Sequence, residues 1–132
     1  MQAMETTIEE PMDAAERAVR QALAEEGFGV LTEIDVAATL AAKLGVHRPP
    51  LKILGACNPT LAHRALGIDP SLALVLPCNV VLEAVDERRT QVAIADPAAM
   101  LALADPASRD EAAAVGEEAS RALRRAMDRL AG

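Results

Sequence analysis

The chain has 132 residues and a formal net charge of −7; hydrophobic residues make up 52% of it and aromatic residues 1%. This length and apolar content are typical of one folded domain with an aliphatic core, which excludes a disordered chain. The negative charge and the scarcity of stacking rings argue against a nucleic-acid partner, because binding nucleic acid needs clustered Lys and Arg or aromatic platforms.

The N-terminal part of the chain predicts a strand, a helix and a second strand. A short edge strand is expected at about Thr6 to Glu10. Apolar residues then recur at helical spacing from Met12, and Gly27 is placed where a left-handed cap would end that helix. Residues 28–35 change to period two, which predicts a strand with one apolar face. We expect that face to carry Phe28, Val30 and Ile34.

The middle of the chain predicts two capped helices around a strand. Asp35 is in position to cap the segment VAATLAAKL, which ends at Gly45. A pair of prolines then forces an extended entry into a strand at 52–57. Asn58 followed by proline is typical of a helix N-terminus, so a second short helix is expected directly after that strand.

The C-terminal part predicts two more strands and a closing helix. The long apolar stretch at 72–85 favours a strand because of its β-branched residues, with Pro77 at a bulge or an edge. A turn leads into an alternating strand at 90–95, and Asp96 opens a short helix. From about 106 to 131 the apolar spacing is helical, which predicts an amphipathic helix.

Strands clustered between helices predict an α+β fold with a largely antiparallel sheet. We expect a single domain over 1–132, with its core at about 6–104 and the amphipathic helix after it. An apolar sheet and a closing helix with Leu123, Met127 and Leu130 in line indicate more apolar surface than one chain covers. A homodimer is therefore expected.

Four segments resemble, in order and spacing, the successive motifs of the domain of unknown function 302 family. The segments are GFGVLTEIDVAATLAAKLG, LGACNPTLAHRAL, LVLPCNVVLE and VAIADPAAML. The resemblance covers roughly Thr6 to Leu103, and the Ala/Arg/Glu-rich extension after Asp105 departs from it. It implies a β-α-β4-α fold of the TATA-binding-protein-like type, commonly assembled as a homodimer. It does not imply DNA binding, because a fold does not carry a function.

All cysteines and asparagines of the chain occur as two pairs, Cys57-Asn58 and Cys78-Asn79. Adjacent antiparallel strands are expected to bring the two thiols together as walls of one shallow site. Two thiolates would bind a soft metal, exchange with a disulfide or carry sulfur. Asn58 would cap the helix whose N-terminus favours the Cys57 thiolate, and Asn79 would fix the backbone around Pro77.

Glu33 is the remaining candidate for the site. It lies in the middle of the second predicted strand, and Lys52 on the next strand is within reach of a cross-strand pair. The carboxylate either forms that salt bridge or lines a pocket shared with the cysteines. His47 and His63 are expected to be ordinary surface residues.

The acidic N-terminus lacks a signal-peptide pattern and no apolar run reaches the roughly 20 residues of a membrane span, so we expect a cytoplasmic protein without a membrane partner.

The preferred hypothesis is a homodimer that binds a small ligand, a metal or a sulfur species at Cys57 and Cys78. The alternative is a structural or interaction module with inert, buried cysteines, whose C-terminal helix presents a partner surface. A thiolate enzyme is a third hypothesis, although no base stands near Cys57 in the sequence. The sequence names no reaction and no cofactor other than a thiolate-bound metal.

Overall fold

The computed structural model describes Met1 and residues 3–131, which form one five-stranded sheet and five α-helices. The strands are β1 (Ala3–Ile8), β2 (Gly29–Asp35), β3 (Leu51–Cys57), β4 (Cys78–Ala84) and β5 (Thr90–Ala95). The helices are α1 (Met12–Glu25), α2 (Val36–Leu44), α3 (Pro59–Ile68), α4 (Pro97–Leu101) and α5 (Arg109–Ala131), with 3-10 turns at Pro70–Val75 and Pro106–Ser108. The predicted α+β class and the predicted order of elements are confirmed.

The sheet has the strand order β1-β5-β4-β3-β2, and every neighbouring pair is antiparallel. Residues that face each other across the ladder share one side of a sheet, so Val80 lies beside Leu54 and Ile94 on the side that the helices cover. All three side chains are at most 2% exposed. The helices α1 and α5 pack against each other on this side and close the core.

Local capping explains where the helices begin. Asp35 accepts a hydrogen bond from the backbone N–H of Ala38 at 2.9 Å and starts α2, which ends at Gly45 with a φ of 65°. Asp96 accepts from the backbone N–H of Ala98 at 3.0 Å and starts α4. Each carboxylate satisfies a donor that the first helical turn leaves free. The predicted caps are confirmed.

The prediction of one strand over 72–85 is wrong in its first half. Residues Pro70–Val75 form a 3-10 helix, and β4 begins only at Cys78. The side chain of Asp69 accepts hydrogen bonds from the backbone N–H of Ser71 at 3.0 Å and from its hydroxyl at 2.7 Å, which turns the chain before the strand. Pro77 follows a cis peptide bond and has no N–H to donate to a ladder.

The predicted apolar face of β2 is also wrong. The register moves from Val30 opposite Ala56 to Thr32 opposite Gly55, so Leu31 is the extra residue of a β-bulge. The bulge interrupts the alternation, and Val30 and Ile34 therefore do not share a face. Strand β2 contains no buried residue, whereas Phe28, which precedes it, is 3% exposed.

The closing helix α5 has the predicted amphipathic character, but its apolar face is buried within its own chain. Leu123 is fully buried and Met127 is 6% exposed, both in the core cluster that includes α1 and the sheet. This face is therefore neither the spare apolar surface nor the partner surface that the sequence suggested. Neither α5 nor any other helix among the described residues is long and apolar enough to cross a membrane.

Candidate functional site

Asn58 joins two helices at one end of the sheet. Its side-chain oxygen accepts a hydrogen bond from the backbone N–H of Leu61 at 3.2 Å, which confirms the predicted cap of α3. Its amide nitrogen donates to the carbonyl of Glu26 at 3.5 Å, just after α1. Gly27 has a φ of 81°, and a Cβ there would come within 3.1 Å of that nitrogen. Both ends of the Asn58 amide thus hold the fold around Cys57.

The two cysteines lie on adjacent antiparallel strands, as expected, but they do not form a close pair. Cys78 faces Ala56 across the ladder, one residue away from Cys57. Because successive residues of a strand point to opposite faces, this register directs Cys57 and Cys78 to different sides of the sheet. Both are free cysteines. The prediction that the two thiols form a close pair is therefore wrong. The reason is that Cys78 is paired with Ala56, one residue before Cys57.

Both cysteines nevertheless contribute to the wall of one small cavity. This cavity of about 30 Å³ lies between the end of the sheet and the helices α3, α4 and α5, with Phe28, Asn58 and Leu61 in its lining. A space of this size holds about two water-sized spheres, and its lining is almost entirely apolar. It accommodates a small apolar group rather than a whole metabolite.

The Cys78 thiol is held in its protonated form near neutral pH. Burial raises its pKa to about 11, and the neighbouring Cys57 adds to the increase. A thiolate is the form that attacks electrophiles and binds metals, so Cys78 is poorly suited to either task. Among the described residues, no three His, Cys, Asp or Glu side chains cluster in a way that would hold a metal ion. Metal ligation by Cys57 and Cys78 stays a prediction without a third ligand.

A larger groove lies on the other side of Cys78. Its volume is about 260 Å³, and its lining combines the residues around the 3-10 helix with the ends of β4 and β5. Cys78 lines both this groove and the small cavity. The exposed Asn79 supplies a polar group in the wall, while Pro77, Ala95 and Met100 are among its other lining residues.

The sequence pointed to Cys78 and Asn79 but missed Leu74 and Met100, which also line the groove. The sequence predicts a strand at Leu74, and it predicts a short helix without a function at Met100. The signal was present in the pairing of Asp69 with proline, because an Asp-Pro step starts a helical turn as readily as it enters a strand.

Glu33 lies apart from the cysteines. Its carboxylate accepts from Lys52 at 2.7 Å and from Arg20 at 3.1 Å, so the predicted cross-strand salt bridge is present. Lys52 also donates to Glu16 of α1 at 2.9 Å. Burial alone would raise the pKa of the Glu16 carboxyl, but hydrogen bonds from Lys52 and Arg20 hold this pKa below its usual value. Hydrogen bonds to Glu33 and Glu16 raise the pKa of Lys52. The network fastens α1 to the sheet.

Replacing Lys52 with methionine is expected to lower the free energy of unfolding by about 1–2 kcal/mol at pH 7, because Glu16 and Glu33 lose a shared partner. The control variant Arg17→Met, which removes a basic side chain of α1 outside this network, should change stability by less than about 0.5 kcal/mol, since Arg17 is exposed. Urea unfolding of both variants measures the difference. The Glu16 pKa is lowered in the folded state, so its contribution is present above the unfolded pKa and is lost as the pH falls through the folded one. Equal effects of the two variants would contradict the network's role.

The comparisons with known proteins agree on one family. The model of the family described as "Domain of unknown function DUF302" matches residues 4–130. The crystal structure of an uncharacterized conserved DUF302 protein from Bacillus stearothermophilus is similar to this chain, with a TM-score of 0.85 and 26% sequence identity. That alignment covers 98% of each chain. The comparison with curated proteins found no match.

The family match extends through α5, beyond the region in which the sequence motifs carry the resemblance. The C-terminal segment is therefore included in the family domain. Since the family model covers nearly the whole chain, this protein belongs to the DUF302 family.

Proposed function

We propose that this protein is a homodimer that binds a small, mainly apolar ligand in the groove beside Cys78. The observation that supports the proposal is the position of Cys78 between the groove of about 260 Å³ and the cavity of about 30 Å³. The groove is close to the lower end of the roughly 300–1,000 Å³ typical of ligand pockets. Leu74, Met100 and Pro77 supply apolar contacts and Asn79 a hydrogen-bonding amide, the combination that fixes an apolar ligand in one orientation.

The Cys78 thiol would act as a soft contact for the ligand. A protonated, polarisable sulfur packs well against apolar, aromatic or sulfur-containing groups. Its raised pKa favours this binding role over nucleophilic catalysis. A sulfur species remains within the proposed ligand class. The cytoplasmic location and the lack of a nucleic-acid partner stay predictions from the sequence.

Methyl phenyl sulfide is a suitable test ligand, because it joins a soft sulfur atom to a small apolar ring. At a concentration ten times its Kd it should raise the free energy of unfolding of the native protein by about 1.4 kcal/mol. It should also slow the alkylation of Cys78 in a Cys57→Ser variant. Thermal unfolding and mass spectrometry of the alkylated protein measure the two effects.

Ala95→Phe places a ring in the groove and should abolish the stabilisation by methyl phenyl sulfide. Ala93→Phe is the matched control, because Ala93 lies two residues earlier on β5 and outside this groove. The proposal fails if the native protein is not stabilised. If methyl phenyl sulfide still stabilises Ala95→Phe, the molecule binds elsewhere, and the groove is not the binding site.

A further inference from the structure

One continuous stretch of the chain, from Gly29 to Pro50, contains no buried residue. It consists of β2, α2 and the loop that follows them. The helix α2 has an apolar sequence, VAATLAAKL, yet none of its residues is buried. An amphipathic or apolar helix is normally stabilised by burying one of its faces. Within its own chain, α2 has no surface that buries its apolar side chains in this way. We refer to residues 29–50 as the β2–α2 surface.

Large apolar side chains concentrate on the β2–α2 surface. Leu31 is 68% exposed, Leu44 69%, Ile34 50% and Val46 49%. Elsewhere in the described part of the chain the large exposed apolar residues are spread over separate segments: Met1, Leu66, Leu74, Val85 and Leu103. The other edge of the sheet differs, because the exposed positions of β1 are Ala3, Glu5 and Thr7. Exposed apolar residues that are concentrated in one segment favour an interaction site there.

The whole chain exposes more surface than a monomer of its mass should. Its accessible surface is 7397 Å² for 13.8 kDa. Folded monomers of this mass expose about 6,600 Å², so the excess is about 800 Å². A standard protein–protein interface buries about 800 Å² and 20–30 residues on each partner. The β2–α2 surface has this number of residues.

The charge of the β2–α2 surface favours a second copy of the chain as its partner. The protein carries a net charge of −7, so two copies repel each other wherever acidic surfaces meet. The β2–α2 surface is an exception, because its two acidic residues, Glu33 and Asp35, are matched in number by two basic ones, Lys43 and Arg48. A self-contact at this place therefore avoids the general repulsion.

We propose that the β2–α2 surface is the self-association surface of the homodimer, in contact with the same surface of a second copy about a two-fold axis. This inference rests on the homodimer of the proposed function. The bulge at Leu31 interrupts the outer ladder of β2, and bulges disfavour edge-to-edge strand pairing. The contact is therefore made by the side chains of Leu31, Ile34, Leu44 and Val46 rather than by a continuous sheet.

Sedimentation equilibrium of single substitutions tests this surface. The native protein should have twice the monomer mass of 13.8 kDa at micromolar concentration. Leu44→Glu and Leu31→Glu should each weaken the dimer at least tenfold. Leu103→Glu is the matched control, since Leu103 is 69% exposed, as Leu44 is, and lies outside the surface. It should leave the dimer intact.

The outcomes separate this inference from the proposed homodimer. A native protein that sediments as a monomer overturns both. A native dimer that survives Leu31→Glu and Leu44→Glu overturns the β2–α2 surface alone. Circular dichroism checks that each variant is folded, and Leu44→Ser provides a milder change that should weaken the dimer in the same direction.

Discussion

Replacing Gly55 with alanine is expected to lower the free energy of unfolding by about 2–3 kcal/mol. A Cβ at this position would lie 2.1 Å from the Oγ1 of Thr32 and 2.8 Å from the Cγ of Pro77. The threonine hydroxyl can rotate away, but the proline ring is rigid and is held at the start of β4. Relief of the overlap therefore requires movement of the backbone between β3 and β4.

Two comparisons isolate the cause of this loss. Gly67→Ala is the matched control, because Gly67 lies in α3 with no atom within 4 Å of its added Cβ, and it should stabilise the helix by about 0.5–1 kcal/mol. Thr32→Ala combined with Gly55→Ala should recover only part of the loss, since the contact with Pro77 remains. Urea unfolding measures all variants. A Gly55→Ala protein as stable as the native one would show that β4 moves freely.

The close approach at Gly55 also positions the proposed groove. Gly55 faces Asn79 across the ladder, and Pro77 both contacts the Gly55 position and lines the groove. The absence of a side chain on one strand thus lets the neighbouring strand begin with Pro77 and Cys78 at the groove wall. Gly55→Ala should therefore weaken binding of methyl phenyl sulfide as well as stability.

Features that depend on neighbouring residues could be predicted from the sequence. Asp35, Asn58 and Asp96 each cap a helix as expected, because a side chain that bonds to a donor two or three residues ahead needs no distant partner. The strand at 90–95 is also as predicted, since its period-two alternation matches burial on one face only. These local signals suffice for the α+β class.

The arrangement of the site could not be predicted in the same way. The distance between the two thiols depends on the register of β3 against β4, and a shift of one residue reverses the faces. Nothing near Cys57 or Cys78 in the sequence specifies that register. The bulge at Leu31 and the close approach of Pro77 to Gly55 likewise depend on contacts between distant segments. The candidate residues were therefore identified singly, while their grouping required the structure.

Raising the pH from 8 to 11 is expected to destabilise the native protein relative to Cys78→Ala by roughly 2–3 kcal/mol. Burial raises the pKa of the Cys78 thiol to about 11, against about 8.5–9 for a thiol in the unfolded chain. The folded protein therefore keeps a proton that the unfolded chain releases in this interval. The sign follows from linkage: the stability is fully present below the unfolded pKa and is lost as the pH rises towards the folded pKa.

Urea unfolding under reducing conditions, at closely spaced pH values, measures this difference. Cys78→Ala removes the titrating group and should show a shallower loss of stability above pH 8.5. Cys57→Ala is the matched control, because it also deletes one sulfur atom but retains the Cys78 thiol. Its free energy of unfolding should fall with pH as steeply as that of the native protein. Parallel curves for the native protein and Cys78→Ala would mean that the thiol is hydrated. A hydrated thiol cannot form an apolar wall between the cavity and the groove, so this result would also remove the support for ligand binding beside Cys78.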